Sequence, residues 1–531
     1  MDNEIKTQAP SVTPKQRKLL MFALYLGLFE VLFMNAMGSM VGALIASDLQ
    51  NMGMYAMMYT IYYLCNACTM PITNKLGEKF GRKNIILLGV ALFGGGALLS
   101  GFAQTMTVHV IFRAVQGLGQ GFLMANILAY FSEFCDQTGR AKAMGLYGTL
   151  TGITWVVAPM IGGWVGDNLG WRGVFYISAP VTLIVFIILA TQMPKFNFNE
   201  GKEVHIDWSG ALLLFLTAAS IDLVFSWGGS NYSWTSGVII GLAVLFVLAL
   251  ILFVARCQKS EYPIISPKLF KNKEYVKVIL CVCLIGPSMF AVGNWMSVWI
   301  VAILGKTATL AGTVAAVKSA VQLVLGYVLG ALIGKSGKNK LFLLSTAALY
   351  VVSNIMIGSS GYGTPLWFVY LAVIISGYTT TTYSMCLTLH AQNHIKDQTV
   401  IGEATSNIQF FQSLMGTVGN ALLGMVLSNA FVRKLAGGGI IPEGLLNYTT
   451  AEALAPYMNA NILSNKTIAD ELVNALPAEG QSLFTQFVEN IRTAYSSSML
   501  TMFIAASVMC AIAFVIMLTM KDPKTNEQKA E

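Results

Sequence analysis

The fold is indicated by a short polar stretch near residue 80, Asn74-Lys75-Leu76-Gly77-Glu78-Lys79-Phe80-Gly81-Arg82-Lys83. It lies between two uninterrupted apolar runs, at about 53–73 and 84–103. Each run holds roughly the 20 residues that cross a ~30 Å hydrocarbon core as a helix. A polar stretch between two such runs is typical of a loop that connects two membrane-spanning helices.

The whole chain has the composition of a membrane protein. Of its 531 residues, 55% are hydrophobic and only 11% are charged, and its mean hydropathy is +0.64. A water-soluble domain carries roughly 25% charged residues, and unbroken runs rich in Gly, Ala and Leu favour helices over barrel strands. We therefore predict an all-α polytopic membrane protein with about fourteen spans. The predicted spans are 19–43, 53–73, 84–103, 107–132, 141–166, 173–193, 208–226, 236–255, 276–303, 308–333, 341–360, 364–389, 404–430 and 495–520.

The distribution of basic residues predicts how the chain is threaded. Of the 33 Lys and Arg residues, 25 fall on one side of the predicted spans, six on the other, and Arg113 and Lys318 within spans. Because basic segments stay in the cytoplasm, we expect both termini there, in a cell membrane of the bacterial inner type. This asymmetry explains the net charge of +8 without a nucleic-acid partner. The first run is too long for a signal peptide, and we expect it to remain as an uncleaved span.

A faint internal repeat divides the chain into two halves. The polar stretch after span two is echoed after span ten by Leu332-Ile333-Gly334-Lys335-Ser336-Gly337-Lys338-Asn339. Both stretches follow the second span of a six-span set if spans seven and eight are an insertion. Two parallel halves with a site between them describe a secondary transporter. The predicted domains are a cytoplasmic tail (1–18), an N-terminal six-helix bundle (19–193), two inserted helices with cytoplasmic linkers (194–275), a C-terminal six-helix bundle (276–520) and a cytoplasmic tail (521–531).

The polar stretch near residue 80 resembles the signature of the major facilitator superfamily between spans two and three. That signature runs Gly-x-Leu-Ala-Asp-Arg-x-Gly-Arg-Lys, and this chain has Asn74 for the first Gly and Glu78 for the Asp. The resemblance covers nearly the whole chain and is to the fourteen-span drug:proton antiporter branch. It implies two six-helix bundles with two inserted helices. It also implies a conformational latch made of breakable ion pairs around a tight glycine turn, whereas the alternative is a plain basic loop. The latch residues are Lys75, Glu78, Gly81, Arg82 and Lys83.

Span four contains a second motif of this family. The sequence Arg113-Ala114-Val115-Gln116-Gly117-Leu118-Gly119 is similar to the family's Arg-x-x-Gln-Gly-x-Gly. An arginine within hydrocarbon is costly unless it is paired or hydrated, so we expect Arg113 to face the bundle interior. The resemblance implies that Arg113 takes part in proton coupling, and the alternative is a structural polar anchor.

Span five contains a motif that resembles the one specific to antiporters, which ends Gly-Pro-x-x-Gly-Gly. It consists of Gly145 and, further on, Ala158-Pro159-Met160-Ile161-Gly162-Gly163, with Thr154 and Ala158 where glycines are usual. Small residues let helices approach closely, and proline bends a helix. We expect Gly145, Pro159, Gly162 and Gly163 to seal one leaf of the cavity, which favours export.

Four charged residues fall within predicted spans, and each is a candidate functional group. Glu30 is the candidate proton-coupling carboxylate, because an apolar environment disfavours its charged form; the alternative is a fixed ion-pair partner. Asp222 lies in the inserted pair, where a role at a helix end or in assembly is favoured over transport. Lys318 would repel cations and attract carboxylates if it faced the cavity, or else it neutralises Glu30 or another carboxylate. Arg113 completes the set.

Polar and aromatic residues concentrate in the spans that are expected to line the substrate cavity. Membrane helices normally hide such groups in protein or water, although interhelical hydrogen bonds account for many of them. The mixture is typical of a roomy site for a partly apolar ligand. The predicted cavity residues are Asn35, Gln116, Gln120, Asn294, Trp295, Trp299, Tyr378, Thr381, Gln409 and Gln412.

One predicted outer segment, 431–492, is polar and rich in Asn and Ala. Apolar residues recur at helical spacing in Thr467–Leu476 and Gln481–Ile491, which predicts short surface helices. We interpret the segment as a solvated connector, with a binding or gating role as the alternative.

The sequence favours a proton-driven exporter of drugs or other amphipathic molecules, and the alternative is a carrier of an endogenous organic anion. It contains no Walker A loop, H-E-x-x-H or G-x-S-x-G motif, so we predict neither an enzyme nor an ATP-driven pump. The histidines His109, His205, His390 and His394 do not have the spacing of a metal-binding motif. We expect no metal and no cofactor, with the proton gradient as the energy source. The expected partners are a small-molecule substrate, protons and the bilayer, and we expect a monomer.

Overall fold

The computed structural model describes residues 13–134, 137–194, 207–229, 232–260, 263–265, 267–336, 339–395, 401–464 and 470–521. Fourteen of the α-helices in these ranges have 20 or more residues, which confirms the predicted all-α fold with about fourteen spans. The helices are α1 (Pro14–Met40), α2 (Gly42–Asp48), α3 (Tyr55–Phe80), α4 (Arg82–Phe102), α5 (Met106–Phe134), α6 (Gln137–Leu169), α7 (Trp171–Gln192), α8 (Trp208–Trp227), α9 (Gly237–Lys259), α10 (Lys273–Asn294), α11 (Ala308–Ser336), α12 (Asn339–Ser359), α13 (Leu366–His394), α14 (Ile401–Ala436), α15 (Ala451–Leu454), α16 (Asn461–Ser464), α17 (Asp470–Ala475) and α18 (Ala478–Leu518).

Ten of the long helices are apolar enough over their described residues to cross a membrane by length and composition. The other four are α3, α5, α6 and α13. These four carry the three sequence motifs and the run Thr379-Thr380-Thr381-Thr382. Because polar groups in lipid must be covered by protein or water, the least apolar helices are those expected to face an interior.

Local sequence signals determine where several helices begin. Thr13 caps α1: its hydroxyl accepts the Gln16 N–H at 3.3 Å, and the Gln16 side chain accepts the Thr13 N–H at 3.1 Å. Gly81 separates α3 from α4 with a φ of 86°, a backbone conformation that favours glycine. Asp207 caps α8 by accepting the Gly210 N–H at 2.9 Å.

Two predicted spans have different ends in the structure. The ninth, predicted as one helix over 276–303, ends at Asn294 and resumes as a π-helical turn at Val298–Ile303. The Asn294 carbonyl accepts a hydrogen bond from the Tyr55 hydroxyl, so a side chain occupies one of the backbone acceptors of the helix. The last span was predicted to follow a separate helix at 481–491, and this is wrong. The two form one helix, α18, whose 41 residues extend about 60 Å.

The long helices form two six-helix bundles that pack alike. The N-terminal bundle contains α1 and α3–α7, and the C-terminal bundle contains α10–α14 and α18. In each bundle the first helix packs on the fifth and sixth, the second on the fourth, and the third on the fourth and sixth. The bundles meet where the second helix of one contacts the fifth of the other: α3 lies against α14, and α6 against α11. This correspondence is the structural form of the faint sequence repeat.

The inserted helices α8 and α9 pack on each other outside both bundles. Helix α8 also contacts α3 and α14, so it covers one of the two seams between the bundles. Helix α9 is largely exposed and very apolar, with only 17% of its most apolar window buried. It therefore presents its surface to lipid.

The two ends of the molecule differ, and we name them by their landmarks. The motif end carries the Gly81 turn and both ends of the described chain. The connector end carries the connector, residues 437–464 and 470–477, with α15–α17. The prediction that this connector is mainly solvated is wrong for its apolar side chains: Leu445, Leu454 and Leu463 are at most 4% exposed and belong to the main core. The Asn461 carbonyl accepts the Ser47 hydroxyl at 2.8 Å, and its side chain accepts the Met52 N–H at 3.1 Å.

Candidate functional site

A buried polar network joins three helices of the N-terminal bundle. Arg113 on α5 is 3% exposed, donates to the Gln116 side chain at 2.6 Å, and lies 4.2 Å from the centre of the Tyr62 ring. The Tyr62 hydroxyl on α3 donates to Gln120, which also accepts the Asn35 amide of α1 at 3.2 Å. The cation is thus stabilised by an amide oxygen and an aromatic face rather than by a carboxylate. The predicted residues Asn35, Gln116 and Gln120 meet here.

Gly117, the residue after Gln116, explains why α5 packs closely on α3 at this motif. A Cβ at Gly117 would collide with the carbonyl oxygen of Tyr62, so only glycine lets α5 lie this close to α3. The same contact places Tyr62 over Arg113. Sequence reasoning missed Tyr62, although Tyr55, Tyr59 and Tyr62 recur at helical spacing in span two.

Glu30 lies apart from this network, within the same bundle. It is 4% exposed on α1 and accepts a hydrogen bond from the Thr182 hydroxyl on α7. Thr182 also bonds the Ser178 carbonyl at 3.0 Å and packs closely on Gly94 of α4. No ion pair involves Glu30 in the described residues, so Lys318 and Arg113 do not neutralise it. A single carboxyl with a neutral donor can change its protonation without breaking a salt bridge.

The antiporter motif lies directly against the other bundle. A Cβ at Gly163 would collide with the Ala308 carbonyl of α11, and one at Gly162 would lie 2.6 Å from Cα of Met37 on α1. The Pro159 carbonyl likewise lies against Gly312 of α11. Small residues therefore allow close contact between α6, α1 and α11, as predicted. The side-chain environment of Gly145 lies outside the described residues.

Asp167, near the end of α6, bonds the beginning of α11. Its carboxylate accepts the Ala308 N–H at 3.1 Å, the Thr309 N–H at 2.7 Å and the Thr309 hydroxyl. A carboxylate at a helix N-terminus is favoured by the free N–H groups there. This residue of one bundle thus caps a helix of the other, which the sequence analysis did not predict.

Further hydrogen bonds across the seam also lie toward the connector end. The Tyr55 hydroxyl contacts the Asn294 carbonyl and lies 3.1 Å from the Ser297 hydroxyl, and the Tyr55 ring is 4.6 Å from that of Trp295. Asn420 of α14 donates to the Ala56 carbonyl at 3.4 Å. Among the described residues, the hydrogen bonds between the bundles involve positions 43–60 and 167 of the N-terminal half. The predicted residues Asn294 and Trp295 are 4% and 3% exposed and belong to this closed end.

At the motif end, the described latch residues bond within their own bundle. Arg82 is buried and donates to Asn126 of α5 at 3.0 Å. Lys83 donates to the carbonyls of Ala190 and Met193, at the end of α7, at 2.7 and 2.6 Å. These bonds hold α4, α5 and α7 together around the Gly81 turn. The side chains of Lys75 and Glu78 lie outside the described residues, so the predicted ion-pair latch stays a prediction.

Neutral groups join α12 to α13 in the C-terminal bundle. Thr382 accepts the Thr346 hydroxyl, Tyr350 donates to Thr380 at 3.3 Å, and Tyr378 lies 2.6 Å from Ser345. These bonds connect α12 to the threonine run of α13. Tyr378 of α13 therefore contacts α12 of its own bundle.

The remaining predicted cavity residues are scattered. Trp299 is 1% exposed and donates to Ser360 inside the C-terminal bundle. Thr381 bonds the Gly377 carbonyl of its own helix, Gln412 donates to Ser384 at 3.0 Å, and Gln409 is exposed. The structure therefore does not bring the ten predicted cavity residues together in one place.

Lys318 is the mid-helix cation of α11 and is half-buried. Among the described residues, its ammonium group has no hydrogen bond and no ion pair. Its backbone lies against Gly377 of α13. A mid-span cation without a partner is expected to reach water or a ligand.

Asp222 on α8 is 2% exposed, and neither carboxylate oxygen has a hydrogen-bond partner among the described residues. Its surroundings include Cys68 of α3, and α8 packs at this level against Leu64 and Leu414. It is therefore buried in the seam that α8 covers, inside a helix rather than at a helix end.

The structure corrects the prediction that the histidines form no cluster. His390 and His394 of α13 lie beside Glu274 of α10, and ligand atoms from all three are within 4.8 Å of one another. The pattern was missed because Glu274 is 116 residues away from His390 in sequence.

Two bundles related by equivalent packing, joined by a seam with few hydrogen bonds, are the architecture of a secondary transporter. The chain belongs to the Major Facilitator Superfamily, whose family model matches residues 23–420. It is a transporter and not an enzyme.

Two curated bacterial proteins are similar to this chain. Multidrug transporter protein MdtP of Bacillus subtilis (strain 168) is 27% identical over 531 residues, which cover 95% of this chain and 94% of that protein. Multidrug resistance protein 3 of the same organism is 29% identical over 420 residues, covering 77% of this chain and 80% of that protein.

Solved structures share the fold. A bacterial homolog of the human lysosomal transporter Spinster, inward-facing and unoccupied, matches with a TM-score of 0.63 and 15% identity over 97% of this chain and 99% of that one. The peptide transporter POT in complex with sulfate matches with a TM-score of 0.59 and 15% identity over 94% and 96%. At these identities the likeness concerns the fold alone.

Proposed function

We propose that this protein is a proton-coupled antiporter that exports drugs or other amphipathic small molecules by alternating access. The observation that carries the proposal is a buried carboxyl, Glu30, held by a neutral hydroxyl in a bundle whose seam with the other bundle closes at one end. The multidrug names of two relatives support the substrate class.

Alternating access requires contacts between the bundles that can separate. At the connector end these contacts include a few hydrogen bonds, among them those that Asp167 accepts from the start of α11, beside the close packing of α6 on α11. A typical hydrogen bond contributes about 0.5–1.5 kcal/mol net, so a set of this size can be broken when a ligand favours the other state. The connector helix α16, which packs on α2 and on the π-helical turn, would move with this gate.

Proton coupling is assigned to Glu30. A charged carboxylate in a dry site costs several kcal/mol, and the Thr182 hydroxyl compensates only part of this cost. Proton binding would remove the charge, and proton release would require water to reach α1. The protonation state of Glu30 would then depend on which side of the bundle is hydrated. Arg113 would polarise the neighbouring network without an ion pair.

The charge of the substrate is the point on which two candidate functions differ. An apolar cavity of about 820 Å³ opens at the motif end between α1 and α6, lined by Phe22, Tyr25 and Phe29 with Arg17 and Lys18 at its edge. It supports entry of an amphipathic molecule from the lipid. Lys318, which has no hydrogen-bond or ion-pair partner in the described part of the chain, favours the alternative substrate class, an organic anion that bears a carboxylate.

The remaining features of the proposal follow from charge and size. The basic side of the chain is assigned to the cytoplasm, which places the motif end and both termini there in a cell membrane of the bacterial inner type. The polypeptide contains both bundles, so we propose that it acts as a monomer. We also propose that it uses the proton gradient as its energy source and needs no cofactor.

The test is transport in proteoliposomes that contain the purified full-length protein. An imposed pH gradient should drive accumulation of a lipophilic cationic dye, and a protonophore should abolish it. A carboxylate dye is measured in parallel, and preference for it would select the organic-anion carrier. Transport of either dye that ignores the gradient would overturn proton coupling, and inert vesicles would overturn the function.

A further inference from the structure

Three helix ends meet at the motif end of the C-terminal bundle. Asn272 caps α10, accepting the Glu274 N–H at 3.0 Å, and its amide donates to the His394 carbonyl at the end of α13 at 2.9 Å. Lys277 of α10 donates to the Thr519 carbonyl after α18 at 2.8 Å. These bonds fix the start of α10 against the end of α13.

Three side chains with metal-binding atoms converge at this junction. His390 and His394 are one helical turn apart on α13, and their rings stack with centres 4.3 Å apart. Glu274 Oε2 lies 3.4 Å from His390 Nε2. One ligand atom from each of the three residues lies within 4.8 Å of the others. Two histidines at i and i+4 on one face are a common way for a helix to bind a transition metal.

The hydrogen bond of His394 leaves its second nitrogen available. His394 Nδ1 is 2.8 Å from the His390 backbone carbonyl. Because a carbonyl only accepts, Nδ1 carries the proton and Nε2 presents a lone pair. A histidine that binds a metal through one nitrogen normally donates the other N–H to a carbonyl or carboxylate. His394 is therefore oriented as a ligand before any ion binds.

We propose that Glu274, His390 and His394 form a binding site for a divalent transition-metal ion, with zinc as the first candidate. Two imidazoles and one carboxylate are ligands that Zn²⁺ accepts, with water in the remaining position. Bonds of about 2.0–2.1 Å require the ligand atoms to draw together from their present spacing. His394 is half-buried at the end of its helix, so rotation of its side chain can supply this movement.

Lys277 determines how tightly the ion is held. Its ammonium group lies 2.9 Å from Glu274 Oε1, while Oε2 faces His390. The lysine and the metal therefore compete for one carboxylate. This predicts that removal of the lysine charge strengthens metal binding.

The ion is not cargo. All three ligands belong to the motif end of the C-terminal bundle, whereas the main contacts between the bundles are those of α3 with α14 and of α6 with α11, and Asn294, which Tyr55 contacts, is at the other end of α10. A bound ion would tie α10 to α13 and stiffen one bundle at the motif end. The site is independent of the proposed transport function.

The experiment titrates Zn²⁺ into purified, tag-free, full-length protein by calorimetry and records Co²⁺ absorption for ligand geometry. We expect one ion per chain. His394→Gln should weaken binding at least about tenfold, which corresponds to about 1.4 kcal/mol. Lys277→Gln should strengthen it. His109→Gln is the matched control, because His109 bonds the Ser100 carbonyl in the other bundle and should leave binding unchanged.

Glu274→Gln serves as a second ligand variant if His394→Gln does not fold. Unchanged Zn²⁺ affinity in either folded variant would overturn the site, as would absence of wild-type binding up to about 1 mM. Weaker binding in Lys277→Gln would contradict the proposed competition for Glu274. Loss of dye transport with intact Zn²⁺ binding would overturn the proposed function and leave the metal site standing.

Discussion

The two bundles share one packing scheme and differ in their polar content. The N-terminal bundle buries charged groups in defined bonds: Glu30 with Thr182, and Arg113 with Gln116 and Tyr62. The C-terminal bundle joins α12 to α13 through neutral hydroxyls, and Lys318 on α11 has no hydrogen-bond or ion-pair partner among the residues that the structure describes. Helix packing is therefore symmetric, whereas electrostatics is not.

The difference fits the division of labour that the proposed function requires. Arg113, whose charge is fixed, is stabilised by an amide oxygen and an aromatic face, whereas Glu30 accepts from a neutral hydroxyl and can change its charge. A charge that meets a ligand is best left without an internal partner, since the ligand then supplies it. Under the proposed function, the N-terminal bundle would couple protons and the C-terminal bundle would select substrate charge.

The largest effect is expected from Glu30→Gln, which removes the titratable group and keeps the Thr182 contact. Transport driven by a pH gradient should fall at least about tenfold, or about 1.4 kcal/mol in the barrier, while dye binding is retained. The measurement is the initial rate in proteoliposomes. Asp222→Asn is the comparison, because Asp222 is the other buried carboxyl without an ion pair. If Asp222→Asn abolished pH-driven transport and Glu30→Gln did not, proton coupling would be assigned to the inserted helices instead of the N-terminal bundle.

The next effect concerns the seam that both bundles share. Gly163→Leu would drive a side chain into the Ala308 carbonyl, and overpacking typically costs about 1–3 kcal/mol. We expect a lower melting temperature and easier labelling of cysteines introduced at the connector end. Gly95→Leu is the matched control, since a Cβ there meets nothing within 4 Å. Equal effects of the two variants would show that α6 and α11 do not need to touch.

A smaller effect is expected from Lys318→Ala, which tests the C-terminal bundle. Apparent affinity for a carboxylate dye should fall by about tenfold, as expected for one lost charge interaction of about 1.4 kcal/mol. Affinity for a cationic dye should stay equal or rise. Lys306→Ala, an exposed lysine before α11, controls for net charge. A parallel loss for both dyes would remove Lys318 from substrate selection.

The smallest effect is expected outside both bundles, at the cap of α8. Burial would raise the pKa of Asp207, but the Gly210 N–H and the Arg256 guanidinium, 2.9 Å away, hold it below its ordinary value. The ionised Asp207 carboxylate therefore stabilises the folded state fully above a pH of about 3.9, and this stabilisation is lost as the pH falls through the lowered pKa. Asp207→Ala should cost about 1 kcal/mol near neutral pH. Thermal unfolding across pH measures this, and a variant as stable as the wild type would contradict it.

The sequence predicted the fold well because its signals are local. Span length, the apolar composition of each span and the Gly81 turn are properties of short segments, and lipid imposes the helix on each of them. The exceptions have tertiary causes. Tyr55 bonds Asn294 where the ninth span is interrupted, and α18 is longer than predicted because it also packs against the connector helices α16 and α17.

The candidate site was predicted less completely. Arg113, Gln116, Gln120 and Asn35 were named from sequence, and the structure brings them together. Their partner Tyr62 was missed, as were Thr182 and Asp167, because a hydroxyl in one helix acquires its role only from the helix beside it. Trp299 and Gln409 share a polar or aromatic character with the cavity residues but lie elsewhere.

By itself, the sequence determined the number and order of spans, the two-fold repeat and the charged residues within the spans, since each follows from the cost of placing local segments in lipid. The tertiary structure alone decided that Glu30 faces a threonine, that Lys318 lacks a partner among the described residues and that Glu274 joins two histidines. The reason is geometric. Which faces of two helices meet depends on the rotation and packing of whole bundles, and no short stretch of sequence carries that information.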